Sequence, residues 1–351
     1  MRKAIFCSSA LAFVLTGCSL KDSVMDVPQQ PMPLRFGTMA SNMTKGADLE
    51  DVLDNFQVFG LKTNASNSSE VVFPDYVVTH DGSDWSYSPV KYWDNSAKGY
   101  DFYAVAPASA VTSITPDAAY VVDASSDVYV TDQTHVAPGA YGEEVLLTFR
   151  KVNATANVAF YETVPGYSVK NLKFYAVDHS SATGNSGADA VLYVTSTNAI
   201  KSAEEYSITY EDGVAIANPS GTLVDVASLD FGSVYYAGEA DINGTAVSGV
   251  LAETNAETTL SKGTAVTVWP TQTGVVLKLC ADYDLFSIDS DEVIHVSNVL
   301  ATVPATATVW AANTNYTYVF RITADQLKPI VFDAVIADEE DVTVSTEFEV
   351  K

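Results

Sequence analysis

The amino-acid sequence predicts an all-β protein made of β-sandwiches. Its 351 residues include 19 tyrosines and 15 phenylalanines but only 18 lysines and arginines, a balance that favours strands. Short apolar runs alternate with polar turns along most of the chain, and helical periodicity is confined to short stretches, the best of which is 48–55. A chain of this length with 47% hydrophobic residues exceeds one small core, so we expect two domains.

The N-terminus has the parts of an export signal. Arg2 and Lys3 supply positive charge, and the apolar run 4–14 is too short to span a bilayer, which takes about 20 apolar residues. The tetrad Leu15-Thr16-Gly17-Cys18 resembles the lipobox of bacterial lipoproteins. This resemblance implies that residues 1–17 are a signal peptide and that the thiol of Cys18 carries lipid. The alternative is an ordinary signal peptide with an incidental cysteine.

Residues 18–45 are expected to form a tether followed by one strand. Three prolines and a lack of periodicity make 19–33 a flexible tether. A strand candidate follows at 34–39, and the polar stretch after it ends at Lys45 and Gly46.

Strand candidates recur at short intervals through the rest of the chain. In a first predicted sandwich, 46–197, they are 56–62, 70–73, 85–89, 91–93, 100–106, 145–149, 156–161, 172–177 and 190–194. In a second, 198–351, they are 206–210, 214–216, 234–236, 264–269, 274–279, 293–299, 316–322 and two C-terminal strands. Asp212-Gly213 is a good hairpin turn, and the boundary between the two sets is expected in the polar stretch 195–202.

The C-terminal segment is the most regularly patterned part of the chain. Val342, Val344, Thr346, Phe348 and Val350 share one face of a predicted strand, and polar residues alternate with them on the other face. Two interpretations stay open. The segment is either the last edge strand of the second sandwich, paired locally, or a strand that completes the sheet of another molecule.

Composition argues against several functional classes. A formal charge of −26 repels phosphate backbones, so nucleic acid is not expected as a partner. The four histidines, His80, His135, His179 and His295, show no metal-ligand spacing. The run 289–292 is acidic but lacks the glycine and distal glutamate of a calcium loop. Without a nucleophile elbow, phosphate loop or dinucleotide fingerprint, the sequence predicts no enzyme, metal or cofactor.

Two further groups of residues are candidates for chemistry. Cys280 lies in an apolar run and is predicted to be a buried structural thiol, which leaves the mature chain without an intramolecular disulfide. The aromatic residues Trp85, Tyr87, Tyr92 and Trp93 are either core residues or a sugar-binding platform, and strand spacing favours the core.

Dispersed motifs in both halves resemble the fimbrillin family, the subunits of type V pili. Lys91-Tyr92-Trp93 and the segment 100–107 resemble the family's aromatic signature. The segment 147–152 lies where the family often has histidine after a phenylalanine, and Arg150 is a departure from that pattern. Later, 310–313 followed by Tyr316-Thr317-Tyr318 resembles the family's late strand.

The resemblance implies two transthyretin-like β-sandwich domains in series and assembly by donor-strand exchange. Fimbrillins reach the outer surface as lipoproteins, and a trypsin-like protease then cuts after a basic residue, which removes the lipid and the first strand. The C-terminal strands of the next subunit fill the groove. For this chain the resemblance makes Arg35 and Lys45 candidate cut sites, with Lys45 preferred. Leu34 and Phe36 become residues of the removable strand, and 342–350 becomes the donor.

The sequence therefore predicts a structural subunit of a cell-surface pilus, an outer-membrane lipoprotein before processing and part of a fimbrium afterwards. Its expected partners are other pilus subunits, the processing protease and a ligand on a host or bacterial surface. The alternatives are a pilus tip subunit, an anchor subunit that keeps its lipid, a non-polymerising surface lipoprotein that binds glycans, and, more weakly supported, an uncharacterised hydrolase.

Overall fold

The computed structural model describes residues 31–40, 53–82, 84–115, 119–175, 189–234, 251, 253, 260–271, 273–323, 331–338 and 343–348. Within these ranges the regular structure consists of strands and three short 3₁₀ helices, Ala108–Ala110, Pro138–Ala140 and Ala305–Thr308. The all-β prediction is confirmed. In the same ranges, no helix has the length and apolar character needed to cross a membrane. Most of the helix candidate 48–55 lies outside the described residues.

The first ten strands are β1 (Arg35–Ala40), β2 (Asn55–Thr63), β3 (Ser69–His80), β4 (Trp85–Ser86), β5 (Gly99–Ala106), β6 (Val111–Ile114), β7 (Tyr120–Asp123), β8 (Tyr129–Thr131), β9 (Thr134–Val136) and β10 (Glu144–Lys151). The next eight are β11 (Ala154–Thr163), β12 (Tyr167–Tyr175), β13 (Asp189–Val194), β14 (Ile200–Ser202), β15 (Glu205–Glu211), β16 (Val214–Ser220), β17 (Val224–Val226) and β18 (Ser228–Ser233). The last seven are β19 (Ser261–Lys262), β20 (Val266–Val268), β21 (Leu277–Ser287), β22 (Val293–Val303), β23 (Thr314–Thr323), β24 (Val331–Asp338) and β25 (Thr343–Phe348).

An eight-stranded sheet organises the first part of the molecule. Its strand order is β1-β10-β8-β5-β2-β3-β4, and β9 also pairs with β5. Because side chains alternate along a strand, β5 contributes to an apolar core on each face of this sheet. Phe102 and Ala104 belong to one core, and Tyr103 and Val105 belong to the other. Strands β7 and β15 of a four-stranded sheet, ordered β16-β15-β7-β6, contribute side chains to the second of these cores.

A third core organises the second part. It draws buried side chains from a six-stranded sheet, ordered β19-β11-β23-β24-β25 with β20 beside β11, and from a five-stranded sheet, ordered β12-β21-β13-β18 with β22 beside β21. Phe160 of β11 stacks on Phe320 of β23 with ring centroids 5.0 Å apart. Cys280 is fully buried in β21, as predicted for a structural thiol.

The cores interleave along the chain. The polypeptide passes from β10 to β11 through Val152 and the fully buried Asn153, and the core membership changes there. Strand β15 then returns to pair with β7, so 205–208 lies against 120–123. The domain boundary expected in 195–202 and the transthyretin-like description stay predictions.

The predicted hairpin turn at Asp212-Gly213 is confirmed. These two residues have φ of +48° and +82° and join β15 to β16, with Glu211 opposite Val214. Two positive φ values are what a tight two-residue hairpin requires. The predicted strand at 91–93 is wrong, because this segment forms only an isolated bridge between Tyr92 and Pro33.

Candidate strand-acceptor groove

The strand β1 fills a gap at one end of the eight-stranded sheet. Its residues run parallel to β10, with Arg35 opposite Glu144 and Ala40 opposite Phe149. On the other side the backbone is held by the segment 91–93. The amide of Leu34 donates to the carbonyl of Lys91 at 2.9 Å, and the amide of Trp93 donates to the carbonyl of Met32 at 3.0 Å. We call the gap between β10 and 91–93 the acceptor groove.

The first two inward side chains of this segment, those of Leu34 and Phe36, are almost completely enclosed. Leu34 is 1% exposed and Phe36 is 2% exposed. The ring of Phe36 lies 5.4–6.2 Å, centroid to centroid, from four other aromatic rings, which belong to Phe56, Phe73, Tyr87 and Phe102. Alternation explains the burial, since residues 34 and 36 point to one side of the strand while exposed Arg35 points to the other. Phe36 is therefore the anchor of the strand.

Tyr87 links the backbone of β1 to the aromatic pocket. Its hydroxyl donates to the carbonyl of Leu34 at 2.7 Å and accepts from the amide of Lys91 at 3.3 Å. Burial raises the pKa of Tyr87 to about 12, so the hydroxyl stays protonated and remains a donor at physiological pH.

The strand is held by apolar burial and backbone hydrogen bonds. The hydroxyl of Thr38, the third inward residue, is buried without a hydrogen-bond partner in the described part of the chain. A buried hydroxyl left in this way costs on the order of 1–3 kcal/mol. This side chain therefore adds no polar contact that a replacement strand would need to reproduce.

The outward face of the groove is acidic next to β1. The carboxylate of Glu144 lies over Gly37, where an added Cβ would come within 2.8 Å of its Cδ and Oε2 atoms and within 3.0 Å of Leu146 Cδ2. Gly37 thus leaves room for the Glu144 side chain, and Arg35 is the residue opposite Glu144 in the strand register.

The predicted site residues fall in different places. Leu34, Phe36 and Arg35 meet in the acceptor groove, whereas Cys18 and Lys45 lie outside the described residues. Of the predicted donor, Val344 and Phe348 lie in β25, while Val342 and Val350 are outside the described ranges. Strand β25 pairs antiparallel with β24 at one end of the six-stranded sheet, with Phe348 opposite Phe332. In this single chain the C-terminal segment is thus paired locally.

The other candidates form no site in the described residues. Trp93 is 6% exposed and stacks on Tyr141, and Trp85 and Tyr87 pack against the same core, so they are core residues. Tyr92 alone of that group is exposed, at 51%. His135 contacts Asp101 at 2.8 Å, His295 contacts Asp284 at 2.5 Å, and the described ranges hold no cluster of metal-ligating side chains. His179 lies outside those ranges.

Sequence reasoning missed the walls of the groove. Glu144, Tyr87 and the carbonyl of Lys91 come from segments distant in sequence from β1, and periodicity gives no register for such pairs. The only local signal is the Gly37 that follows Phe36, since glycine within a strand often marks the close approach of another group.

Fold and groove together define an all-β structural protein whose N-terminal strand completes a sheet of its own chain. The chain belongs to the fimbrillin-like family, whose model matches residues 41–338. The predicted resemblance is confirmed. Membership supports a pilus or adhesin-type protein of the cell surface, and it is consistent with a structural, non-enzymatic role.

Two solved structures are similar to the chain, and the first of them supports the fold. A fimbrial protein from Bacteroides vulgatus is similar at 14% sequence identity and a TM-score of 0.53, over 87% of this chain and 99% of that chain. A protein from Bacteroides uniformis with a proposed role in cell adhesion is similar at 11% identity and a TM-score of 0.46, over 88% of this chain and 98% of that chain. No curated protein sequence matches the chain.

Proposed function

We propose that the chain is a pilus subunit that loses its N-terminal strand to a protease and then polymerises by donor-strand exchange. The observation that carries the proposal is the enclosure of Leu34 and Phe36 in a groove built entirely by later residues. The strand β1 pairs with β10 and not with β2, the next strand in sequence. A cut between β1 and β2 would therefore leave β1 bound by non-covalent contacts alone.

The position of β1 favours Lys45 over Arg35 as the cut site. A cut after Arg35 would separate Leu34 from Phe36 and leave the aromatic anchor on the processed chain. Arg35 also lies within the backbone pairing of β1 and β10, which a protease would have to disrupt before it could cleave. Lys45 follows the strand, so a cut there releases the whole of β1 together with Cys18 and its lipid.

Loss of β1 would expose an aromatic trough and an unpaired edge of β10, both of which are unfavourable in water. A strand from a second molecule would restore the backbone hydrogen bonds and bury its alternate side chains. The segment 342–350 has the required alternation. A subunit that accepts a strand at one end and offers one at the other makes a head-to-tail contact, which propagates into a filament.

The lipid on Cys18 is then a temporary anchor. The precursor is an outer-membrane lipoprotein, and the processed subunit joins the fimbrium. The partners are the trypsin-like protease and neighbouring subunits, with a surface ligand at the exposed end of the pilus. A tip subunit needs the acceptor groove but offers no donor, and an anchor subunit keeps its lipid and its first strand.

Limited trypsin treatment of the native precursor tests the proposal. We expect one early cut after Lys45, mapped by sequencing the new N-terminus, followed by slow formation of SDS-resistant ladders. The variant Lys45→Gln should block both events, whereas the matched variant Arg35→Gln should block neither.

Deletion of 341–351 should abolish the ladders while the early cut persists. Ladders from the deleted chain would show that the donor lies elsewhere. A processed chain that stays monomeric at high concentration would contradict polymerisation and favour the glycan-binding alternative.

A further inference from the structure

We propose that the acceptor groove selects a donor strand from a different subunit, one whose aromatic anchor is flanked by neutral or basic residues, over the C-terminal strand of this chain. This inference rests on the proposed strand exchange and names the partner that the groove accepts. It follows from the two faces of β1, which make different demands on any replacement strand.

The inward face accepts the chain's own donor. Phe348 is the aromatic residue of 342–350, so it is the residue that would fill the Phe36 pocket. If the donor enters antiparallel to β1, Val350 falls at the position of Leu34 and Thr346 at the position of Thr38. Apolar side chains then meet the apolar pockets, and a threonine replaces a threonine. The inward row alone would favour self-assembly.

The outward face of the groove disfavours the chain's own donor strand. Phe348 is flanked by Glu347 and Glu349, so a glutamate replaces both Arg35 and Gly37 whichever way the strand runs. The position of Gly37 is the one over which the carboxylate of Glu144 lies. A glutamate there would have to displace the Glu144 side chain and would bring a like charge beside it.

The charged groups beside the groove are acidic on the β10 side, and the lysine on the other side contacts an aromatic ring. On the β10 side, Glu143 precedes Glu144, and both are exposed. On the other side, the amino group of Lys91 lies 5.4 Å from the centre of the Tyr76 ring. The strand that the groove holds in the intact chain brings one positive charge and one glycine to these positions, whereas the self-donor would bring two negative charges.

Like charges on adjacent strands are unfavourable, and opposite charges are favourable. A donor with glutamates at the positions of Arg35 and Gly37 is expected to bind the groove about tenfold or more weakly at low salt than a donor with neutral or basic residues there. The favoured partner is therefore a terminal strand with an aromatic anchor between neutral or basic neighbours. Where such a subunit is present, it would occupy the groove in preference to a second copy of this chain, which binds more weakly but can still form ladders by itself.

Peptide displacement from the processed full chain tests this selection. The precursor is cut with trypsin, the protease is inhibited, and release of the fragment that carries β1 is followed by native mass spectrometry. The probes are a peptide of residues 342–351, the same peptide with Glu347→Lys and Glu349→Lys, and a peptide of residues 31–40 as the reference occupant.

We expect the lysine peptide to release β1 at about one tenth of the concentration that the glutamate peptide needs in about 20 mM salt, with the difference shrinking in about 0.5 M salt. In a chain carrying Glu144→Lys the preference should fall or reverse, whereas the distant variant Glu211→Lys should leave it unchanged.

Equal displacement by the two donor peptides at low salt would overturn the selection while leaving strand exchange intact. Failure of every peptide to release β1, including that of residues 31–40, would instead overturn strand exchange and the selection with it.

Discussion

The strands β1 and β11 each pair with a parallel neighbour, but β1 lies at the end of its sheet and β11 lies inside its own. Each runs parallel to a later strand, β1 to β10 and β11 to β23, and these are the parallel pairs among the described strands. The ten residues of β11 pair with β23 on one side and with β19 and β20 on the other. The six residues of β1 pair with β10 on one side, and the short contact with 91–93 is made by residues 32–34 just before them.

The two strands β1 and β11 also differ in how far their faces are buried. Both faces of β11 are covered, since Phe160 lies in the third core while Ala159 and Tyr161 belong to a separate apolar cluster on the other face. The outward face of β1 leaves Arg35 in solvent. Two parallel pairs thus give one strand that is integral to its sheet and one, β1, that the proposed strand exchange would replace.

The largest effect is expected at the integral strand. Phe160→Ala should lower the free energy of unfolding by about 3–5 kcal/mol, because a fully buried ring leaves a cavity between β11 and β23. Urea denaturation followed by tyrosine and tryptophan fluorescence measures the change. The exposed control Val309→Ala should alter stability by no more than about 0.5 kcal/mol, and a similar loss in both variants would contradict the packing of β11.

At the replaceable strand, Phe36→Ala should weaken the hold on β1 by a comparable amount, about 3–4 kcal/mol, without unfolding the rest of the molecule. After cleavage at Lys45, the fragment carrying β1 should dissociate faster from the variant, as measured by size-exclusion chromatography. Arg35→Ala, which alters an exposed side chain of the same strand, is the control. Global unfolding of the Phe36→Ala chain would show that β1 is as integral as β11.

A buried carboxyl at the end of β11 gives the stability of the protein a pH dependence. Glu162 is 2% exposed, and burial raises the pKa of its carboxyl to about 7, although the amide of Val164 donates to it at 2.7 Å. Because the folded pKa lies above the unfolded one, the folded state binds the extra proton, so stability falls as pH rises from about 4.5 through about 7.

Glu162→Gln should therefore stabilise the protein at pH 8, by up to about 3 kcal/mol, and should change little at pH 4. Urea midpoints across this pH range measure the effect, with exposed Glu143→Gln as the control. Equal stabilisation at both pH values would show that ionisation of Glu162 is not its cause.

The smallest expected effect is that of salt on assembly. The full sequence carries a formal charge of −26, so subunits in the proposed assembly would repel one another, and burial with backbone pairing would have to drive their association. Raising salt from about 0.05 M to about 0.3 M should slow the dissociation of assembled ladders, because screening weakens the repulsion between subunits. The expected gain in the free energy of association is about 1 kcal/mol or less. Faster dissociation in salt would indicate that ion pairs hold the assembly together.

Local patterns predicted much of this fold. Alternation of apolar and polar residues was sufficient to predict strands such as β2, β5 and β23. The preference of Asp-Gly for positive φ was sufficient to predict the hairpin at Asp212-Gly213. Strands of three or four residues, such as β8 and β14, are too short to show a period. Periodicity also carries no information about pairing partners, so it did not reveal that β15 returns to β7.

The site was predictable to the same degree. The sequence predicted a strand at 34–39, and the resemblance to fimbrillins pointed to Phe36 within it, but the four aromatic neighbours of Phe36 come from strands and loops spread over 56–102. Glu162 was missed because an acidic residue at the end of a strand usually faces solvent, and only the tertiary fold shows that this one is enclosed. Lys45 and Cys18 remain predictions from sequence.

Because β1 and β10 run parallel, both strands begin at the same end of the sheet. Residues before Arg35 leave the sheet at the end where Glu144 begins β10, and Lys151 leads into β11 at the opposite end, about 20 Å away along the strands. A lipid upstream of β1 would hold that first end at the membrane. The polypeptide would then enter β11 at the end of β10 that lies farther from the membrane.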